Sequence, residues 1–441
     1  MIVPKSPRLT LVSMSGLRVV DQRLLELGLT LPGLKRRAGA LGELPPLGLL
    51  TIAATVPNEW DVRLLSDLGI ETVEQIAERI LSEEADLVAF SCLTPAIDRA
   101  IAISRRLRQR RVATIVGGLH ATASPTTCVG RFDAVAIGDG EPLLTRMLND
   151  WSTGDLAGVY RAEHPISLST SPLPDWDLWG SSVPPRYTVQ TMRGCPWACS
   201  FCAASRMLGP ARVKPDAQIE REIAAIAQRQ SRAWIELADD NTFASERDHG
   251  PLLETLRRAG ARWFTESDWR IGLRPDLLRQ IASSGCRQIL VGFESSVFRY
   301  PGMGAKNADF ERIVEAALAI QEAGVVVNAC FIVGADGETR ASIDRLGDFL
   351  ETAPFGEIQL TIQTPFPGTP LHESLRRGGR LLSGDFSRYT LFDVVHQPDL
   401  LSVPELRAGF YELVARVYRP ALQARRDQIV KSIRSHPRRA R

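Results

Sequence analysis

The stretch Thr191–Met207, TMRGCPWACSFCAASRM, holds three of the seven cysteines, Cys195, Cys199 and Cys202, in the spacing C-x3-C-x2-C. It follows an apolar run, Tyr187–Met192, that reads as a strand, and it opens a loop bearing Gly194 and Pro196. Thiolates this close in a long chain with an odd number of cysteines point to a metal rather than a disulfide. A closed zinc site needs four ligands, and there is no second C-x2-C pair. A redox reading uses Cys199 and Cys202 but leaves Cys195 idle. A four-iron cluster normally takes four thiolates, so three leave one iron open to bind another molecule.

Outward from that loop, the chain reads as alternating strands and helices. On the N-terminal side LTLVSM, DVRLLSD, DLVAFSC, ATIVGGLH and AVAIGDGE are short Val-, Ile- and Leu-rich runs that end in Gly, Ser or Asp. Between them IETVEQIAERILSEE sets Val73, Ile76, Ala77, Ile80 and Leu81 on one helical face. Apolar strands separated by helices predict a parallel sheet covered on both sides, with its site at the carboxyl ends of the strands. On the C-terminal side six strand–helix units are expected, with strands at Thr188–Met192, Trp234–Ala238, Trp263–Glu266, Gln288–Phe293, Val326–Val333 and Ile358–Gln363. The fold class is therefore α/β: a flavodoxin-like doubly wound sheet over residues 1–150, a Pro- and Ser-rich linker over 151–187 and a partial (β/α)6 TIM-type barrel over 188–380. A small helical region, 381–441, ends in a basic tail.

Composition sets the bounds. The 441 residues are 44% hydrophobic and 24% charged with a net charge of +2, which fits a globular protein of two or three domains and gives no reason to expect nucleic acid. No run of eighteen apolar residues occurs, and the expected location is the cytoplasm. Cys92, Cys128, Cys286 and Cys330 read as small buried hydrophobes. The last 21 residues carry Arg425, Arg426, Lys431, Arg434, Arg438, Arg439 and Arg441 against Asp427. A solvated tail is the first reading, and contact with an anionic membrane surface the second.

C-x3-C-x2-C with Phe201 before the last cysteine, set at the end of a first barrel strand, resembles the radical S-adenosylmethionine superfamily. The resemblance implies a [4Fe–4S] cluster held by Cys195, Cys199 and Cys202, with S-adenosylmethionine on its open iron. It carries cofactor contacts over to Asp239, Asp240 and Asn241 in LADDN, to Glu294 and Ser295 in LVGFESS, and to Gly334 and Gly337 in CFIVGADGET. LADDN departs from the Gly-Gly-Glu of many members. TPFPGTPL, Thr364–Leu371, also resembles one large branch of the superfamily. The segment of about 40–145, with VGGLHA followed by IGDGE, is similar to the cobalamin-binding domain that precedes many such barrels. That implies contacts from Ser91, Thr94, Gly117, Gly118, His120, Gly138, Gly140 and Glu141. Asp-x-His-x-x-Gly, the spacing of enzymes that ligate cobalt through histidine, does not occur, and His120 reads first as a loop residue bonded to nearby backbone.

Together these resemblances imply a methyltransferase acting on an unactivated carbon of a small molecule or lipid, with a flavodoxin or ferredoxin as electron donor. Cobalamin would take a methyl group from one S-adenosylmethionine, and a 5′-deoxyadenosyl radical from a second would open the substrate carbon to it. A non-methylating radical oxidoreductase or cyclase is the alternative. A methylthiotransferase ranks lower because its N-terminal cysteine trio is missing. A metal-stapled interaction protein leaves the position of the cysteines unexplained.

Overall fold

A computed structural model describes residues 6–14, 20–30, 44–180, 182–382 and 384–435. The first sheet is formed by β1 (Arg8–Met14), β2 (Asp61–Asp67), β3 (Leu87–Ser91), β4 (Ala113–Gly117), β5 (Ala134–Ile137) and β6 (Gly158–Arg161). All its pairs are parallel, in the order β2-β1-β3-β4-β5-β6. Its strands are apolar on both faces because each face has its own core. Val12, Val88, Phe90 and Val116 pack on one side, and Leu9, Leu11, Leu87 and Ile115 on the other. The helix Val73–Ser82 starts at a capping box between Thr72 and Gln75 and buries Ile76, Ala77 and Ile80.

The first sheet runs further than the sequence indicates. A helix continues to Thr153, and β6 lies inside the segment read as linker. Only Tyr160 of its four residues is buried, so this edge strand carries almost no periodic signal. Beyond it the chain packs through Trp176, whose ring meets Tyr187 edge-on at 5.1 Å.

The second sheet begins with β7 (Tyr187–Val189). Next come two short strands, β8 (Met192–Arg193) and β9 (Arg212–Val213), paired antiparallel with Arg193 opposite Arg212. The sheet resumes with β10 (Trp234–Leu237), β11 (Arg262–Ser267), β12 (Cys286–Glu294), β13 (Val326–Val333) and β14 (Glu357–Ile362). Its order is β7-β10-β11-β12-β13-β14, all parallel and open between β7 and β14, a partial barrel without closure. The expected strand Thr188–Met192 stops at Val189. There the Asp239 carboxylate accepts hydrogen bonds from the Thr191 and Met192 amides and draws them out of the sheet. Residues such as Trp263, Val291, Phe331 and Leu360 face the outer helices and form the largest core. Glu236, Glu266, Gln288 and Asn328 alternate with that set and face the concave side.

Helices Val403–Val417 and Pro420–Ser435 end the described chain, the first behind a Ser402–Glu405 capping box. Among the described residues of the basic run Arg425, Lys431 and Arg434 are exposed, and Arg426 is the exception. Arg426 is buried, lies over the Tyr418 ring and donates to the Val417 carbonyl, and Arg425 donates to the Thr352 carbonyl at a helix end. Arg438, Arg439 and Arg441 lie outside the described residues.

Candidate functional site

The cysteine loop, 194–211, is closed at its base by β8 and β9. Gly194 has φ +82°, and a Cβ there would stand 2.6 Å from the Gly209 carbonyl, so only glycine lets the two ends meet. The loop is held against residues 301–302 by hydrogen bonds from the Ser200 amide to the Pro301 carbonyl (2.8 Å) and from the Ala198 amide to the Gly302 carbonyl (3.1 Å). Cys199 is buried, and Cys195 and Cys202 are half-buried. Phe201 packs on Tyr300 with ring centres 4.5 Å apart. Lys306 places Nζ 3.9 Å from the Cys199 sulfur and 3.4 Å from Glu294.

The chemistry of the donor set fits a cluster. All three thiols are free. Burial pushes the Cys195 thiol up to about 11 and raises that of Cys199, with the Lys306 charge pulling both back. They are therefore protonated until a metal displaces the protons. Among the described residues no three His, Cys, Asp or Glu side chains gather around one metal ion; in a cube each thiolate would take a different iron.

The residues carried over to S-adenosylmethionine fall into two groups. Glu294 lies at a register shift between β12 and β13 with φ +62°, an irregularity that turns its carboxylate toward Lys306. Asp240 stands near enough to Cys195 for their charges to interact, and desolvation, then the Asp239 charge, pushes its carboxyl up to about 6. Gly334 has φ +90° and precedes Ala335, which packs with Cys199, Tyr300 and Met303. These surround the cysteines. Asp239, Asn241 and Ser295 serve the frame instead. Asp239 is buried and accepts from the amides of Thr191 and Met192 and the hydroxyls of Thr191 and Thr242. The Asn241 amide donates to Asp268 at 2.9 Å and accepts from the Asp268 backbone. Ser295 caps the turn at Val297 and Phe298, and the Gly337 amide is taken by Asp399.

At the carboxyl ends of β3, β4 and β5 lies a cleft of about 270 Å³. Ser91, Gly117, Gly118, Gly138, Gly140 and Glu141 line it, and no histidine is among its lining residues. A Cβ on Gly118 would stand 2.9 Å from the Cys92 backbone, and one on Gly140 3.3 Å from Ile52. The rim is therefore built of backbone, which suits the close approach of a large flat cofactor such as cobalamin. Thr94 and His120 do not line it. The His120 ring is fully buried, hydrogen-bonded through Nδ1 to Thr94 (3.2 Å) and Nε2 to Thr127 (2.9 Å), and capped by Phe386. Burial lowers its pKa to about 4, so it is a neutral core histidine.

Sequence reasoning missed the residues through which the halves meet. Gln190, Arg193, Met207 and Leu208, all from the second half, line the same cleft. Lys306 was missed too, since GMGAKN carries no motif.

Comparison with known proteins gives the same division. Residues 35–148 match the B12 binding domain and residues 189–350 the Radical SAM superfamily. An uncharacterized methyltransferase of Synechocystis sp. is 27% identical, covering 84% of this chain and 70% of its own length. The hopanoid C-2 methylase of Rhodopseudomonas palustris is 26% identical over 87% of this chain and 73% of its own. An anaerobic magnesium-protoporphyrin IX monomethyl ester cyclase of Cereibacter sphaeroides is 23% identical over 78% of this chain and 62% of its own. The solved structure of the radical S-adenosylmethionine methyltransferase TsrM from Kitasatospora setae, with cobalamin and a [4Fe–4S] cluster, superposes with a TM-score of 0.66 at 15% identity. The match covers 94% of this chain and 90% of that one, and shows a shared fold. With a B12-binding domain leading into a radical SAM domain, and the cysteine trio at the head of the second, the chain belongs to the cobalamin-dependent radical SAM enzymes, whose cofactors are a [4Fe–4S] cluster, S-adenosylmethionine and cobalamin.

Proposed function

We propose that this enzyme transfers a methyl group to an unactivated carbon of a small molecule or lipid that carries hydrogen-bonding groups. One observation carries the reading: Arg193, Met207 and Leu208 of the cysteine-loop region form a wall of the glycine-rimmed cleft, so a cofactor held there would sit against the loop that carries the cluster cysteines. When bound, the cluster with S-adenosylmethionine supplies a hydrogen-abstracting 5′-deoxyadenosyl radical, and cobalamin supplies the methyl group.

The chain's own residues position and shield that chemistry. Cys195, Cys199 and Cys202 would hold the cluster, with the Lys306 ammonium beside them. Glu294 and Asp240 offer carboxylates to an ammonium or hydroxyl of S-adenosylmethionine. At pH 7 Asp240 is mostly ionised, its value lying near 6. The backbone at Gly334 offers close approach. Leu47, Ile52 and Leu144 beside the glycines keep water from the cleft.

The substrate class follows from the concave face of the second sheet. Glu236, Glu266, Gln288, Asn328, Gln359 and Thr361 point there by strand register, and Gln288 Nε2 and Thr188 Oγ1 are buried with no hydrogen-bond partner. Buried polar groups cost stability when unpaired, so a substrate with hydroxyl, amine or carbonyl groups fits this chamber better than a bare hydrocarbon ring. A flavodoxin or ferredoxin would supply electrons, and cysteines without a disulfide among the described residues suit the reducing cytoplasm.

The test uses anaerobically reconstituted enzyme with hydroxocobalamin, a reductant and methyl-labelled S-adenosylmethionine. Methyl transfer yields both S-adenosylhomocysteine and 5′-deoxyadenosine, with label moving to cobalamin. 5′-Deoxyadenosine without S-adenosylhomocysteine would instead favour the non-methylating chemistry that the cyclase relative represents.

A further inference from the structure

Asp139 and Glu141 belong to the Gly138–Glu141 turn on the rim of the cobalamin cleft, yet their carboxylates turn toward the base of the cysteine loop. Arg193 of β8 donates from Nη1 to Asp139 Oδ1 at 2.7 Å and from Nη2 to Glu141 Oε1 at 2.7 Å. Arg212, directly opposite it on β9, donates from Nη1 to Asp139 Oδ2 at 2.6 Å and from Nη2 to the Leu208 carbonyl at 2.7 Å. The Ile166 amide completes the Asp139 shell at 2.9 Å. The four side chains are 7–13% exposed. Burial alone would raise the Asp139 carboxyl, but the hydrogen bonds from Arg212 and Arg193 outweigh it and hold the carboxyl below its ordinary range.

Three features make this more than an ion pair between domains. Both strands of the two-residue clasp grip the same aspartate, so the spacing of β8 and β9 at the mouth of the cysteine loop is set from the other domain. Arg193 precedes Gly194 and Cys195, and Leu208, whose carbonyl Arg212 holds, lines the cobalamin cleft. The turn that carries the two carboxylates supplies Gly138 and Gly140 to the same cleft. A buried, multiply bonded charge network of this kind has few alternative arrangements and transmits a shape change across a contact.

We propose that the Asp139–Arg193–Arg212–Glu141 network is a latch through which the cobalamin cleft and the cluster loop fix each other's shape, so that filling one site tightens the other. Asp139 and Glu141 are then positioning residues rather than cofactor contacts. The inference rests on the cofactor assignment and is independent of whether methyl is transferred. Linkage makes the effect reciprocal.

Hydroxocobalamin affinity is measured by anaerobic equilibrium dialysis on the full chain, once without iron and once after iron–sulfur reconstitution. Reconstitution is expected to tighten binding about tenfold, within the usual range of coupling between sites. Arg193→Met keeps the stem that lines the cleft and removes the guanidinium, and it should bring the ratio to about one. In the same way, saturating hydroxocobalamin should slow the loss of cluster iron to a chelator in the unmodified enzyme and not in the variant. Glu141→Gln, a gentler change, carries the comparison if Arg193→Met does not fold. A ratio of one in the unmodified enzyme overturns the latch. So does a variant that weakens both states equally and leaves the ratio intact, since that is the mark of a merely structural pair. Failure of hydroxocobalamin to bind in either state removes the cofactor assignment, and the latch with it.

Discussion

Lys306 stands between Glu294 and Cys199 with its ammonium mostly shielded from water. Burial alone would lower its pKa, but Glu294 and then Cys199 keep it charged. A fixed positive charge beside a cluster favours the reduced state, so Lys306→Met should lower the cluster's midpoint potential by on the order of tens of millivolts. Redox titration followed by electron paramagnetic resonance reads this directly. Glu266 differs because its charged neighbours among the described residues are carboxylates. Desolvation on the concave face, then the carboxylates of Glu236, Asp240 and Glu294, push it up to about 8. Between its ordinary 4.5 and about 8 the folded chain keeps a proton that the unfolded chain has released, so stability falls as pH rises through that window. The side chain still reaches water, which makes the energy smaller than the shift implies. Thermal melts at pH 5 and pH 8.5 should show a larger drop for the unmodified protein than for Glu266→Gln. Neither position was legible in the sequence, because the value of each depends on charges brought in by other strands.

At the scale of elements, Asp239 decides where β7 ends. It sits at the end of β10, and four donors converge on it from Thr191, Met192 and Thr242. Asp239→Ala would strand the Thr191 and Met192 amides in the core, while the Thr242 hydroxyl keeps Thr265 and the Thr191 hydroxyl keeps Arg247. The expected cost is about 2–4 kcal/mol, read by chemical denaturation, together with loss of iron uptake as the β8–β9 clasp loosens. LADDN announced that something polar ends the second barrel strand. It did not show that Asp239 and Asn241 face the frame while Asp240, between them, lies near the cysteines. β13 was legible to the residue, since Val326–Val333 is an eight-residue run apolar at every position but Asn328 and covered on its outer face by helices. β6 was not, because an edge strand with one buried side chain has no pattern to read. His120 was equally silent about its own burial, which comes from Thr94, Thr127 and Phe386.

For the whole molecule, the cleft at the carboxyl ends of the first sheet is completed by Gln190, Arg193, Met207 and Leu208 of the second half, and a ligand bound there stabilises the fold by mass action. Hydroxocobalamin should therefore raise the melting temperature of the iron-free chain by several degrees, and cobinamide, which lacks the nucleotide tail, by less; scanning fluorimetry measures both. An unchanged melting temperature at saturating hydroxocobalamin would count against the glycine-rimmed cleft as its site. The sequence by itself determined the two α/β halves, the strand order's raw material and the cysteine trio, because hydrophobic periodicity and short ligand spacing are local properties written along the chain. Only the tertiary structure decided that Arg193 and Arg212 would meet Asp139, that His120 would leave the cleft, and that Lys306 would stand beside Cys199. Those outcomes depend on pairs 26 to 107 positions apart, brought together by packing and selected by the cost of leaving a buried charge or amide without its partner.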